Sequence, residues 1–209
     1  MSKPNAEEVV MSLRDIAELT RILAEQDGKN PQGLPPVHLW EPPFCGDIDI
    51  RVHRDGRWSY LGSVIERPAL VRLLASVLRR DEDGDYYLVT PVEKMRIQVE
   101  DAPLQVIRAE SSRDSAQQPL WLLYTLTGDC IELGPQHALW VEEKAGSGEP
   151  MPYVHVRARL HARLMRNPFY QLVDAAEPGE RVGERCHYGV WSAGHFFSLG
   201  LVDGDELSP

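Results

Sequence analysis

Cysteine is scarce in this chain: three in 209 residues, at positions 45, 130 and 186. An odd, widely spaced set argues against a disulfide framework and suits a reducing compartment. Basic side chains are also in short supply, 22 Lys and Arg against 32 Asp and Glu, for a formal net charge of -10. A field of that sign repels nucleic-acid backbones and anionic bilayers, so no nucleic-acid or membrane partner is expected. No apolar run approaches the roughly 20 residues that span a bilayer. Residues 1–8 carry no apolar signal core, and the expected location is the cytoplasm. Chemistry-bearing motifs are missing as well. There is no Gly-x-Ser-x-Gly elbow, no Walker loop and no dinucleotide fingerprint. The seven histidines (38, 53, 137, 155, 161, 187, 195) and three cysteines show no zinc spacing, since Cys186 and His187 are adjacent. No catalytic residue, metal or cofactor is therefore assigned.

What is present is an ordinary globular composition, 43% hydrophobic and 26% charged, with length enough for one large domain or two small ones. Three segments are expected: an N-terminal helix and arm over 1–34, a first α+β domain over 35–102, and a second, larger α+β domain over 103–209. The helix spans 6–27, where Val9, Val10, Leu13, Ile16, Leu19, Ile22 and Leu23 recur at helical spacing. Five prolines between Pro31 and Pro43 then make 28–46 a stiff extended arm.

From Asp47, Ile48, Ile50 and Val52 alternate with Asp49, Arg51 and His53, the period of a half-buried strand. Asp55-Gly56 is a hairpin signal that returns the chain through Trp58 to Leu61. Pro68 opens a helix carrying Leu70, Val71, Leu73, Leu74, Val77 and Leu78, with Arg79 and Arg80 suited to its C-terminal dipole. Strands at 86–89 and 95–99 complete a ββαββ order. Further strands are expected at 104–110, 119–126, 130–133 and 137–143. The first pattern then recurs: strands near 138–141 and 153–156, a helix over 158–176 kinked at Asn167-Pro168 with Asn167 as an N-cap, and strands at 186–191 and 195–199. The fold class is α+β with duplicated ββαββ-type units and mainly antiparallel sheet. A competing parse counts about seven strands from Tyr86 before the helix at 158, the element order of a pleckstrin-homology-like barrel.

A two-residue turn at Asp55-Gly56 sets Asp49, Arg51, His53, Trp58 and Tyr60 on one face of the first hairpin. Arginine, carboxylate and aromatic groups in that arrangement suit a planar or anionic ligand; the same pattern also describes a solvated sheet face. Asp47 and Asp49 share a strand face as a metal-binding carboxylate pair would, although Asp47 after Gly46 equally suits a turn. Thr90-Pro91-Val92-Glu93-Lys94 is a proline-opened turn whose Glu93 and Lys94 are available to a partner or to solvent. Ser192 and His195 lie close in sequence, but in a hairpin turn.

Several segments together resemble the bacterial domain-of-unknown-function family 1285. They are Gly46-Asp47-Ile48-Asp49, the Asp55-Gly56-x-Trp58-x-Tyr60-x-Gly62 hairpin, Leu70-Val71-Arg72-Leu73 through Val77-Leu78-Arg79-Arg80, Leu88 to Lys94, Val99 to Pro103, Pro152-Tyr153-Val154 and Trp191-Ser192-Ala193-Gly194. The resemblance covers most of residues 35–200. It implies a duplicated fold with a loosely pleckstrin-homology-like C-terminal half, a ligand site where the halves meet, a nucleotide as candidate ligand, and a part in bacterial signalling. It brings no catalytic residues. The resulting expectation is a non-enzymatic ligand-binding protein whose site draws on Asp47, Asp49, Arg51, Trp58, Tyr60, Thr90, Glu93, Lys94 and Asp101. The alternatives are a protein adaptor using the proline-rich arm or a strand edge, and a metal-assisted hydrolase using Asp47 and Asp49.

Overall fold

The computed structural model describes residues 34–203. The expected helix over 6–27 and the acidic tail beyond 203 lie outside them. Among the described residues the chain is mostly strand with two α-helices, consistent with the α+β class. None of the helices is long and apolar enough to cross a membrane.

Six strands build the first sheet: β1 (Phe44–Val52), β2 (Trp58–Tyr60), β3 (Ser63–Val64), β4 (Leu78–Arg80), β5 (Tyr86–Val89) and β6 (Lys94–Val99), in the order β3-β2-β1-β6-β5-β4. Helix α1 (Pro68–Ser76) lies between β3 and β4 in sequence, with Pro68 in its first turn where a missing N–H costs nothing. The second sheet holds β7 (Leu104–Arg113), β8 (Pro119–Thr125), β9 (Cys130–Glu132), β10 (Leu139–Glu143), β11 (Pro150–Arg157) and β12 (Leu160–Leu164), in the order β10-β11-β12-β7-β8-β9. Helix α2 (Arg166–Asp174) follows, then a three-stranded antiparallel sheet of β13 (Glu177–Val182), β14 (Arg185–Ser192) and β15 (His195–Asp203).

The two six-stranded orders are the same when read from opposite ends. In each, two three-strand meanders are joined by setting the last strand beside the first, β6 by β1 and β12 by β7. The duplication is therefore one of a six-strand plan. The ββαββ expectation is corrected in both halves: the first has three strands on each side of α1, and in the second α2 follows all six strands.

Three local readings change for identifiable reasons. Arg79 and Arg80 leave the helix and sit in β4, where Arg79 pairs with Tyr87 and Arg80 with Tyr86. Sheet pairing there outweighs a helix-dipole preference of under about 1 kcal/mol. Residues 160–164 are strand: Leu160, Ala162 and Leu164 are buried and the residues between are not. The turn before them escapes notice because Ala158, not glycine, takes the left-handed conformation, at φ 47°. Asn167 is inside α2, whose N-cap is Met165. The strands expected at 86–89, 95–99, 186–191 and 195–199 all form.

The chain divides into two compact units. Among the described residues, 34–49 with 66–97 make one, and 50–65 with 98–203 make the other. In the first, Leu74, Ala75, Val77, Leu78, Leu88, Val89 and Ile97 are buried; in the second, Val52, Trp58, Leu104, Val106, Leu123, Ile131, Val154, Leu164 and Leu172.

Candidate functional site

The first hairpin closes by a longer loop than Asp55-Gly56 suggests. Val52 lies opposite Trp58, Arg51 opposite Ser59 and Ile50 opposite Tyr60. His53 N–H donates to Arg57 O at 2.8 Å and Gly56 N–H to His53 O at 2.9 Å. Three residues, 54–56, make the loop, with Gly56 at φ +87° in the left-handed position that ends such a turn. A one-residue change of register moves every later side chain to the other face. Trp58 and Tyr60 therefore lie on the face opposite Arg51 and His53, and Trp58 is only 1% exposed. The expected stacking surface does not form. Ser59 takes that place, its Oγ 2.9 Å from His53 Nε2.

The hairpin tip approaches the second sheet so closely that a Cβ at Gly56 would meet Gln105 Oε1 at 2.7 Å. On that sheet, cross-strand pairing sets Trp140, Tyr153, Arg163 and Gln105 in one row. Between the tip, β11, the end of β12 and the start of α2 is a cleft of about 530 Å³ within the second compact unit. Arg54, Arg57, Arg163 and Arg166 line it together with His53, Glu100, Pro152, Phe169 and Tyr170, among others. No acidic residue stands in the first turn of α2, and no side chain caps it.

Asp101, which the sequence places among the expected site residues, ties the side chains beside this cleft together. Its Oδ2 accepts from Arg163 Nη1 at 2.7 Å and its Oδ1 from the Tyr153 hydroxyl at 2.7 Å. Arg54 Nε stands 3.8 Å from the same carboxylate. Burial, and after it the hydrogen bond to Asp101, pushes the Tyr153 phenol up to about 12. Arg163 is five-sixths buried, with 17% of its side chain exposed. Among the described residues Asp101 is its only hydrogen-bond or ion-pair partner, and Arg166 has none.

The acids of the cleft are already engaged. Glu100 accepts from the Arg54 amide at 3.1 Å and stands 3.1 Å from His53 Nδ1. The Arg54 amide holds the Glu100 carboxyl below its ordinary value, desolvation works the other way, and His53 and Arg51 add to the lowering. Asp55 pairs with Arg57 at 2.7 Å and Glu149 with Lys144 at 3.6 Å. Hydrogen-bonding capacity left over in the cleft is thus mainly that of guanidinium donors, which suits an oxyanion.

The remaining expected site residues, Asp47, Asp49, Thr90, Glu93 and Lys94, lie in the first compact unit, where Asp47, Thr90 and Lys94 serve local contacts. Asp47 accepts from Arg96 Nε at 2.7 Å and Nη2 at 3.0 Å, and that hydrogen bond holds its carboxyl below the usual range. Asp49 is exposed. Thr90 Oγ1 accepts from the amides of Val92 at 3.2 Å and Glu93 at 3.1 Å, closing its own turn. Lys94 donates to Asp81 at 2.9 Å and sits 4.5 Å from the Tyr87 ring centre. Among the described residues no three His, Cys, Asp or Glu side chains are grouped as metal ligands. The arm is tied down by Arg79, which donates to Val37 O at 3.0 Å and Trp40 O at 2.7 Å. Ser192 and His195 do not form a nucleophile and base: Ser192 Oγ donates to Leu133 O at 2.7 Å, and His195 Nδ1 lies 2.9 Å from Ala193 O. Sequence reasoning missed Arg54, Arg57, Arg163, Arg166 and Tyr170. Its available signal was local basic density, with Arg157, Arg159, Arg163 and Arg166 falling within ten residues of an acidic chain.

Residues 35–102 match the N-terminal domain model of a domain of unknown function, DUF1285, and residues 103–199 match its C-terminal domain model. The chain belongs to the DUF1285 family. A DUF1285 family protein from Silicibacter pomeroyi DSS-3, known from a crystal structure at 2.50 Å, is 42% identical with a TM-score of 0.73, over 88% of this chain and 96% of that one. Another from Shewanella baltica OS155, at 1.40 Å, is 27% identical with a TM-score of 0.47, over 61% of this chain and 91% of that one. No curated protein matches. His53 to Arg57 and Glu100 fall in the family's N-terminal domain, and the cleft residues from Glu149 to Tyr170 in its C-terminal domain.

Proposed function

We propose that this protein binds a small anionic ligand in the arginine-lined cleft, without catalysis, and that a nucleotide is the first ligand class to test. The observation that carries this reading is Arg163, five-sixths buried at the cleft with a single protein partner among the described residues, Asp101. A planar guanidinium keeps further N–H donors for a ligand oxyanion after that one bond. Phe169 and the half-exposed Tyr170 supply ring faces for the rest of the molecule. A signalling role is what the family resemblance implies, and the odd, widely spaced cysteines suit a cytoplasmic location. A helix following the six strands of the second sheet supports the loosely pleckstrin-homology-like reading of that half.

A thermal-shift panel of nucleotides and other anionic metabolites tests the proposal on the full chain. A true ligand at a hundredfold excess over its Kd stabilises the native state by about 2.7 kcal/mol. A panel in which nothing raises Tm at saturating concentration sinks it, as does a Tm gain that survives unchanged when Arg163 and Arg166 are both replaced.

A further inference from the structure

Resting on that reading of the cleft, we infer that the group it selects is a phosphate monoester, held between Arg163 and Arg166. The two arginines come from different elements. Arg163 projects from β12 on the face that carries Tyr153, and Arg166 opens α2. Leu164 and Met165 make the bend between them, and all four residues line the cleft. Arg166 has no partner among the described residues, and Arg163 has only Asp101.

Two guanidiniums on one cleft favour a group with both charge and oxygens enough for two forks. A monoester phosphate offers three terminal oxygens and, above its second pKa near 6, close to two negative charges. A phosphodiester or a carboxylate offers two oxygens and one charge. The acids that line the cleft do not spend this capacity, because Glu100 is held by His53 and the Arg54 amide, and Asp55 by Arg57. The ester substituent then meets Pro152, Phe169 and Tyr170, a wall that suits a ring.

Titration calorimetry with phenyl phosphate, methyl phenyl phosphate and benzoate on the full chain decides the point. Phenyl phosphate is expected to bind, with the diester and the carboxylate weaker by roughly ten-fold or more, the worth of one charged hydrogen bond. Arg166→Gln, which removes no hydrogen bond or ion pair among the described residues, is expected to weaken phenyl phosphate by a similar factor. Arg163→Lys, which keeps the charge beside Asp101, is expected to weaken it as well, through loss of the fork. Equal binding of monoester and diester, no binding of phenyl phosphate at tens of millimolar, or an unchanged Kd in Arg166→Gln overturns the inference. If phenyl phosphate fails while another anion from the wider panel binds in an Arg163-dependent way, the inference falls and the ligand-binding reading stands. If nothing in either set binds, both fall.

Discussion

Arg163 and Asp101 meet at 2.7 Å, and the same carboxylate accepts the Tyr153 hydroxyl through its other oxygen. One acid therefore neutralises the cleft's most buried arginine and satisfies a buried phenol. Asp101→Ala is expected to leave Arg163 without its partner and the Tyr153 hydroxyl with only its 3.8 Å contact to Met151 Sδ, and to cost about 2 kcal/mol, read as a lower denaturation midpoint at unchanged m-value. Asp101→Asn, which retains an acceptor oxygen, is expected to cost less. Equal stability of wild type and Asp101→Ala would show that the contact carries no net energy.

The Tyr153 phenol also sets an alkaline limit. Its pKa rises from the ordinary 10.0 to about 12 in the folded protein, through burial first and the Asp101 bond second. The unfolded chain ionises this phenol more easily, so its stabilising contribution is complete below pH 10 and is lost as pH rises from about 10 towards about 12. Absorbance titration of phenolate is expected to show a late step that shrinks by one phenol in Tyr153→Phe. An identical late step in the variant would remove the assignment.

Gly56 and Gly84 share nearly the same backbone, at φ +87° and +88°, but not the same surroundings. A Cβ at Gly84 has only Arg80 Nη2 nearby, at 3.9 Å, whereas one at Gly56 meets the Gln105 side chain at 2.7 Å. Gly84→Ala is expected to cost about 1 kcal/mol of left-handed strain. Gly56→Ala adds the displacement of a buried glutamine and is expected to cost about 1 kcal/mol more. Urea denaturation of the two variants compares them directly; equal costs would mean the tip is not seated on Gln105.

Ser192 is fully buried, accepting the Trp121 N–H at 2.8 Å and donating to Leu133 O at 2.7 Å. Ser192→Ala is expected to destabilise by about 1–3 kcal/mol, because a buried amide and carbonyl lose their partner. Thermal denaturation checks this. A variant as stable as wild type would show that the hydroxyl is replaceable by water or by repacking.

Much of the strand inventory was legible because alternation of apolar and polar residues is a local property. Ile50 and Val52 are buried while Arg51 between them is exposed, as their spacing implies. The hairpin after them was legible as a turn but not as a register. Asp55-Gly56 marks where the chain reverses, yet whether glycine is the second or the third loop residue depends on which pairing buries Trp58 against the rest of the fold. The strand at 160–164 was hidden for a related reason. Five residues are too few to separate a strand from the helix that follows, and Ala158 gives no turn signal.

By itself, then, the sequence determined the composition of the fold, most strand positions, the turns marked by glycine and proline, and the family. Each of these depends on residues close together in the chain. Tertiary structure alone decided the candidate site. Arg54, Asp101, Arg163 and Tyr170 come from separate stretches of the chain, and their meeting depends on β12 lying parallel to β7 and on the hairpin tip reaching Gln105. Non-local strand pairing of that kind leaves no periodic trace in any one segment, because the partner that fixes each side chain's face lies elsewhere in the chain.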